Sequence, residues 1–161
     1  MGLIFDREYY MRRALELAQE SFLSAEVPVG CVIADGSGKI IAEGKNRRIS
    51  QKSALSHAEI EAISKANDAL GDWRLTECTL YVTLEPCPMC AGAIINARIP
   101  VVVYGAKEQN SGCCGSVINL FEENFGHRCA IFGGVLETEC AELMRRFFEQ
   151  RRKNGDITLL F

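Results

Sequence analysis

Leu80-Tyr81-Val82-Thr83-Leu84-Glu85-Pro86-Cys87-Pro88-Met89-Cys90-Ala91-Gly92-Ala93-Ile94-Ile95 changes character half-way along its length. Thr79–Thr83 is β-branched and aromatic, the composition of a strand. After Glu85-Pro86 the pattern becomes that of a helix that begins near Cys87 and runs through Ile95. A strand passing at once into a helix is the unit of layered α/β architecture. Cys87 and Cys90 fall one turn apart at that helix start, where partial positive charge and free N–H groups favour thiolates.

Upstream, His57-Ala58-Glu59 marks the start of another helix. Catalytic zinc typically takes three protein ligands from His, Cys and carboxylate and keeps a fourth position for water. His57, Cys87 and Cys90 can fill the three places, which leaves Glu59 free to move protons. Each piece also has a plainer reading. Cys-x-x-Cys serves redox dithiols and half of a structural zinc site. Glu59 stands three residues after Ser56, the spacing of a capping box that needs no chemistry. The combination favours catalytic zinc, one ion per chain. A closed structural site needs a fourth ligand, usually from a second spaced pair, and Cys113-Cys114 has no gap between its members. A redox pair would leave His57, one of two histidines in the chain, unexplained.

Working outward, Asp6 can cap a helix to about Leu23, with Met11, Leu15, Ala18 and Phe22 as its apolar stripe. Val29–Ile33 and Ile40–Ala42 read as a hairpin across Asp35-Gly36-Ser37-Gly38. The helix after Ser56 carries Ile60, Ile63, Ala66 and Leu70 on one face and stops at Gly71. Val101–Tyr104 is a buried strand, and residues 106–128 are mostly loop and short helix. A strand over Ala130–Phe132 and a helix from about Thr138 to Arg152 complete the chain. Strands alternating with helices predict an α/β layered fold, and no linker or repeat divides residues 1–161, so one domain is expected.

The 161 residues suffice for a sizeable core, and 48% hydrophobic with 24% charged residues is ordinary for a globular protein. No apolar run reaches eighteen residues, and the first residues lack a secretory signal pattern, so a cytoplasmic protein without a membrane span is expected. Gly2 is not followed by the Ser or Thr at position six that myristoylation wants; Asp6 stands there. The eight cysteines are therefore read as reduced, with Cys31, Cys78, Cys129 and Cys140 as small hydrophobes. A net charge of −3 argues against strong non-specific nucleic-acid binding. One local basic stretch stands out: Arg145, Arg146, Arg151, Arg152 and Lys153 interleaved with Phe147 and Phe148.

His-x-Glu followed by Pro-Cys-x-x-Cys resembles the signature of zinc nucleobase deaminases. Val27-Pro28-Val29-Gly30, Asn46, Trp73-Arg74-Leu75, Leu80–Ile95, Arg98-Ile99, Tyr104-Gly105-Ala106, Gly115-Ser116 and Phe147-Phe148…Arg151-Arg152 narrow the match. From about Tyr10 to Arg152 the chain resembles the bacterial tRNA-specific adenosine deaminases, which convert adenosine to inosine at the anticodon wobble position (position 34). The resemblance implies a three-layer cytidine deaminase-like fold with a mixed five-stranded sheet flanked by helices, and a homodimer that binds the tRNA anticodon stem-loop. It implies zinc on His57, Cys87 and Cys90, and Glu59 as proton donor and acceptor. Asn46 would contact the target nucleoside, with Ala58, Pro86, Glu108 and Phe125 around it. Phe147, Phe148, Arg151 and Arg152 would face RNA, where arginine engages phosphates and aromatic rings stack unpaired bases.

Three departures lie around the substrate rather than the metal. Ser53-Ala54-Leu55-Ser56 replaces a frequent Asp-Pro-Thr-Ala, Glu108 stands where Asp is common, and Gly126 precedes His127 where Asn is common. Two other readings stay open: deamination of a free base, nucleoside or nucleotide (guanine, cytosine, cytidine or dCMP), and a non-catalytic zinc-stabilised binding module.

Overall fold

The computed structural model describes residues 6–156, so the N-terminal residues read for a targeting signal lie outside it except for Asp6. Helix α1 spans Arg7–Leu23, with the Asp6 carboxylate accepting from the Glu8 and Tyr9 amides as its cap. Strands β1 (Gly30–Ala34) and β2 (Ile40–Lys45) form the hairpin, and helix α2 covers Ala58–Leu70. Then come β3 (Thr79–Leu84), α3 (Pro88–Asn96), β4 (Val101–Ala106), a 3-10 turn at Leu120–Glu122, β5 (Ala130–Phe132) and α4 (Glu137–Lys153).

The five strands make one mixed sheet in the order β2-β1-β3-β4-β5. Strand β1 is antiparallel to both neighbours, and β3, β4 and β5 are parallel. Strand β2 therefore points the same way as β3 and β4, and the loops leaving all three emerge at one edge of the sheet. Side chains alternate along the strands. Val32, Ala34, Tyr81 and Val103 pack with Tyr10, Met11, Ala14 and Leu17 of α1 and Cys140 of α4. Cys31, Ile33, Leu80, Val82 and Val102 pack on the other side with Ala58, Ala62 and Ala66 of α2 and Ile94 of α3. The expected three layers are present, and burial on both faces explains why the central strands are almost continuously apolar.

Two strand glycines set how closely helices approach. A Cβ on Gly30 would strike the Ala14 carbonyl oxygen of α1, and one on Gly44 would strike that of Ala58 in α2. Ala14-x-x-x-Ala18 and Ala58-x-x-x-Ala62 thus present small faces to matching glycines. This corrects two expected stripes. On α2 the buried positions are Ala58, Glu59, Ala62, Ile63 and Ala66, while Leu70 is exposed and Ile60 half-buried. On α1 they are Tyr10, Met11, Ala14, Leu17, Ala18 and Ser21, with Leu15 and Phe22 at the margin. Close contact selects small residues, and a hydrophobicity pattern underweights alanine.

Gly44→Ala should lower stability by about 1–3 kcal/mol or more, since backbone meets backbone and neither side can turn away. Thermal melting checks this: each kcal/mol shifts the midpoint by roughly 2–4 °C in a protein this size. Because α2 carries His57 at its start, the variant should also hold metal less tightly than wild type.

Candidate metal centre and cleft

His57 and Cys87 occupy equivalent places, each the extended residue immediately before a helix, and neither side chain caps its own helix. Pro88 at the first position of α3 suits its fixed φ and missing N–H. Ser56 is not the cap. Its carbonyl accepts from the Arg47 amide and its own amide donates to the Ser53 carbonyl, so it belongs to the preceding loop. The capping-box reading of Glu59 falls with it, and the Glu59 side chain lies in the cleft instead.

The His57 Nδ1 atom lies 3.6 Å from Cys87 Sγ and 3.5 Å from Cys90 Sγ, and all three ligand atoms fall within 4.8 Å of one another. Zinc bonds of about 2.0 Å to nitrogen and 2.3 Å to sulfur, opened to a tetrahedral angle, place N and S about 3.6 Å apart. The two N···S separations match that geometry. The groups already share protons: a hydrogen bond with Cys90, helped by His57, draws the Cys87 thiol down to about 4 against the opposing effect of burial. Cys90 is driven far up by the same bond and by burial, and His57 is raised by its bond to Cys87. A cation among the three would replace the shared proton.

Glu59 is only 4% exposed, and burial is the chief cause that raises its carboxyl above the ordinary range. A carboxyl whose protonated form is favoured by burial is suited to holding a proton between transfers. Its cleft, of about 190 Å³, is also lined by Val29, Asn46, Arg48, Glu108, Met144 and Phe148. Asn46 and Ala58 both line this cleft, and Asn46 is oriented by donating to the Val27 carbonyl and accepting from the Arg48 amide. Pro86 is buried behind the cleft, with its carbonyl accepting from Cys113. Phe125 is 52% exposed and does not line the cleft, a correction that follows from its place beyond the 3-10 turn.

The α4 residues divide. Phe148 lines the cleft, but Phe147 is only 2% exposed, its ring against Phe22 and Phe148, and has no free face for a base. Arg151 is tied to Asp156 and to the Ala25 carbonyl, whereas Arg152 is exposed and reaches only the Phe148 carbonyl. The helical period explains this, since neighbours in sequence point about 100° apart.

Two buried carboxylates escaped the sequence reading. Glu85, 2% exposed, accepts from the amides of Glu108, Cys114 and Ser116 and from the Ser116 hydroxyl. Burial pushes its carboxyl up, but those bonds together outweigh it and hold it below the usual range. Glu26, also 2% exposed, accepts from the amides of Ile49 and Ser50. Each fixes a loop beside the cleft, to partners 23 to 31 residues away in sequence. The only visible signal was Glu85's place before Pro86-Cys87. Cys113 and Cys114 stay outside the metal cluster, and all eight cysteines are free.

A His/Cys/Cys cluster beside a buried glutamate, carried by His-x-Glu and Pro-Cys-x-x-Cys, defines the zinc-type nucleobase deaminases as the class this fold and site describe. The pattern of the MafB19-like deaminase family matches residues 5–152, and the chain belongs to that family. It is 45% identical over 147 residues to the tRNA-specific adenosine deaminase of Bacillus subtilis, covering 91% of each chain. A structure from studies of A-to-I editing by tRNA:A34 deaminases at the wobble position of transfer RNA matches with a TM-score of 0.80 and 39% identity, over 84% of this chain and 98% of that one. The guanine deaminase of Bacillus subtilis matches with a TM-score of 0.61 and 34% identity, over 90% and 95%.

Two measurements follow. Purified protein should carry about one metal ion per chain, and Cys87→Ala or Cys90→Ala should reduce that to near zero by elemental analysis. Retention in both, with loss in Cys113→Ala or Cys114→Ala, would place the ion elsewhere. Phe147→Ala should cost about 3–5 kcal/mol in denaturant unfolding, as large core truncations do, whereas Phe148→Ala should cost far less and act on substrate binding.

Proposed function

We propose that this protein is a zinc-dependent hydrolytic deaminase that converts adenosine to inosine at the wobble position of a tRNA anticodon. The observation that carries the reading is the 45% identity to a tRNA-specific adenosine deaminase along 91% of both chains, in a chain that gathers His57, Cys87 and Cys90 into one cluster. The guanine deaminase of Bacillus subtilis is less similar in sequence, at 34% identity.

His57, Cys87 and Cys90 would hold the ion, which when bound supplies Lewis acidity and brings the pKa of water to about 7. Glu59 then takes up a proton, passes it to the purine ring and delivers one to the departing amine, so that ammonia leaves and water is consumed. Its burial serves this role, because a carboxyl shielded from water keeps the proton between the two transfers. Asn46 has one amide hydrogen engaged by Val27, and the other is free for a nucleoside hydroxyl or ring acceptor. Phe148 offers a ring edge or face to a neighbouring unpaired base. Glu108 and Ala58 shape the walls, with Pro86 buried behind them.

The reading makes the protein a cytoplasmic homodimer. No helix among the described residues is long and apolar enough to cross a membrane. Ile49, Leu55, Val117 and Ile118 are large apolar side chains exposed on loops near the site, surface that a second copy could cover.

The test offers an anticodon stem-loop with adenosine at position 34 alongside free adenosine, guanine, cytosine, cytidine and dCMP. Inosine should form in the stem-loop, with free adenosine largely untouched; faster turnover of guanine or a cytosine compound would reassign the substrate. Glu59→Ala should keep fold and metal while losing at least the 10²–10⁴-fold typical of a general acid–base group. A protein that releases no ammonia from any of these would be a zinc-stabilised binding module.

A further inference from the structure

Arg48 has no assigned role, yet among the described residues it is the only lysine or arginine lining the cleft that holds Glu59 and Phe148. Among the described residues its guanidinium has no ion pair, hydrogen bond or aromatic contact. Most other arginines are engaged: Arg13 by Glu16 and Glu43, Arg47 by Glu61, Arg74 by Asp72, Arg145 by Glu142 and Glu149, Arg151 by Asp156. The Arg48 backbone, by contrast, is held firmly. Its amide donates to the Asn46 side chain, its carbonyl accepts from Ser53, and the next two amides are fixed by buried Glu26. A fixed backbone that sends an unpaired cation into a cleft places positive charge where an anion can meet it.

The sheet tells which anion. Arg48 follows β2 by three residues, and Lys107 follows β4 directly, both at the edge where the parallel strands end. Three strand spacings separate β2 from β4, about 14 Å at the backbone. Lys107 lines a groove that continues from the cleft past Phe148, shared walls included, and it too has no ion pair among the described residues. The reacting position thus lies between two unpaired cations on separate loops. A free base or nucleoside carries no anion to meet either, and a free nucleotide carries a phosphate on one side alone. A nucleotide within a chain carries a phosphate on each side.

We infer that Arg48 binds a phosphodiester of the RNA strand next to the target nucleotide, and so selects a polynucleotide over a free nucleoside. The inference rests on the tRNA reading above. Arginine suits the role through its planar fork, which meets phosphate oxygens two at a time.

The test compares wild type, Arg48→Ala and Arg48→Lys on the anticodon stem-loop, measuring kcat and KM over a range of potassium chloride, with metal content and melting temperature as controls for the fold. Arg48→Ala should raise KM about 10- to 100-fold, the effect of losing one charge-assisted bond. Its log–log salt slope should be shallower by about 0.7, the value for one phosphate on a single strand. Arg48→Lys should recover the slope and part of KM. If wild type deaminates the stem-loop and Arg48→Ala matches its KM and slope, the Arg48 assignment is wrong and the tRNA reading stands. A raised KM with an unchanged slope also overturns it, because lost packing rather than lost charge would then be responsible. If wild type leaves the stem-loop untouched, both readings fall together.

Discussion

Two helices that begin at the same point in space are the constraint on which the site depends. Helices α2 and α3 start behind parallel-running strands β2 and β3, separated in the sheet by β1, so their N-termini arrive at one edge. Each delivers its capping residue, His57 or Cys87, to the cluster. Positive helix ends would repel a bare cation, but they favour the thiolates that attract one. The logic is electrostatic: helix ends and hydrogen bonds favour negative sulfur, and negative sulfur would in turn favour a metal ion. The close seat of α2 on Gly44 makes this geometry possible, because a larger residue there would push Ala58, and His57 beside it, away from the sheet.

The same edge needs loops that stay in place, and charge buried in protein does that here. An ionised carboxylate taken from water is costly unless hydrogen bonds satisfy it. Glu85 accepts four such bonds and Glu26 two, and nearly all come from backbone amides of loops beside the cleft. The cost and the function are linked: a carboxylate so deeply placed cannot tolerate the loop moving away, since each lost amide leaves it unpaired. Gly112 shows how tight the arrangement is, for a Cβ there would collide with the Glu85 carboxylate.

Much of this was legible in sequence because its causes are local. The five strands and four helices follow from short-range composition, and the Cys-x-x-Cys spacing fixes two ligands on one helical turn. His57 and Glu59 were found through their pairing with that motif. What was missed depends on partners distant in sequence. Ser56 reads as a cap until Arg47 claims its carbonyl. Glu26 and Glu85 read as ordinary acids until loops 23 or more residues away fold over them. Phe147 and Phe148 look equivalent as a pair, but the helix turns one toward Phe22 and the other toward the cleft.

Charge distribution carries the last step. The basic stretch on α4 suggests a large positive surface, but Arg145 is neutralised by two glutamates, Arg151 by Asp156, and Arg146 lies against the Phe22 ring. Paired surface charges present little net field to a ligand, and beyond about 10 Å salt screens what remains. With a net charge of −3 the protein as a whole gives a polyanion no long-range attraction. If the ligand is RNA, its recognition would then come from cations left unpaired at short range, and among the described residues Arg48 and Lys107 stand beside the cleft without an ion pair. On the proposed reading such a surface would hold RNA weakly away from the site and more firmly across it, and selection of the substrate would be concentrated in the few ångströms around the reacting base.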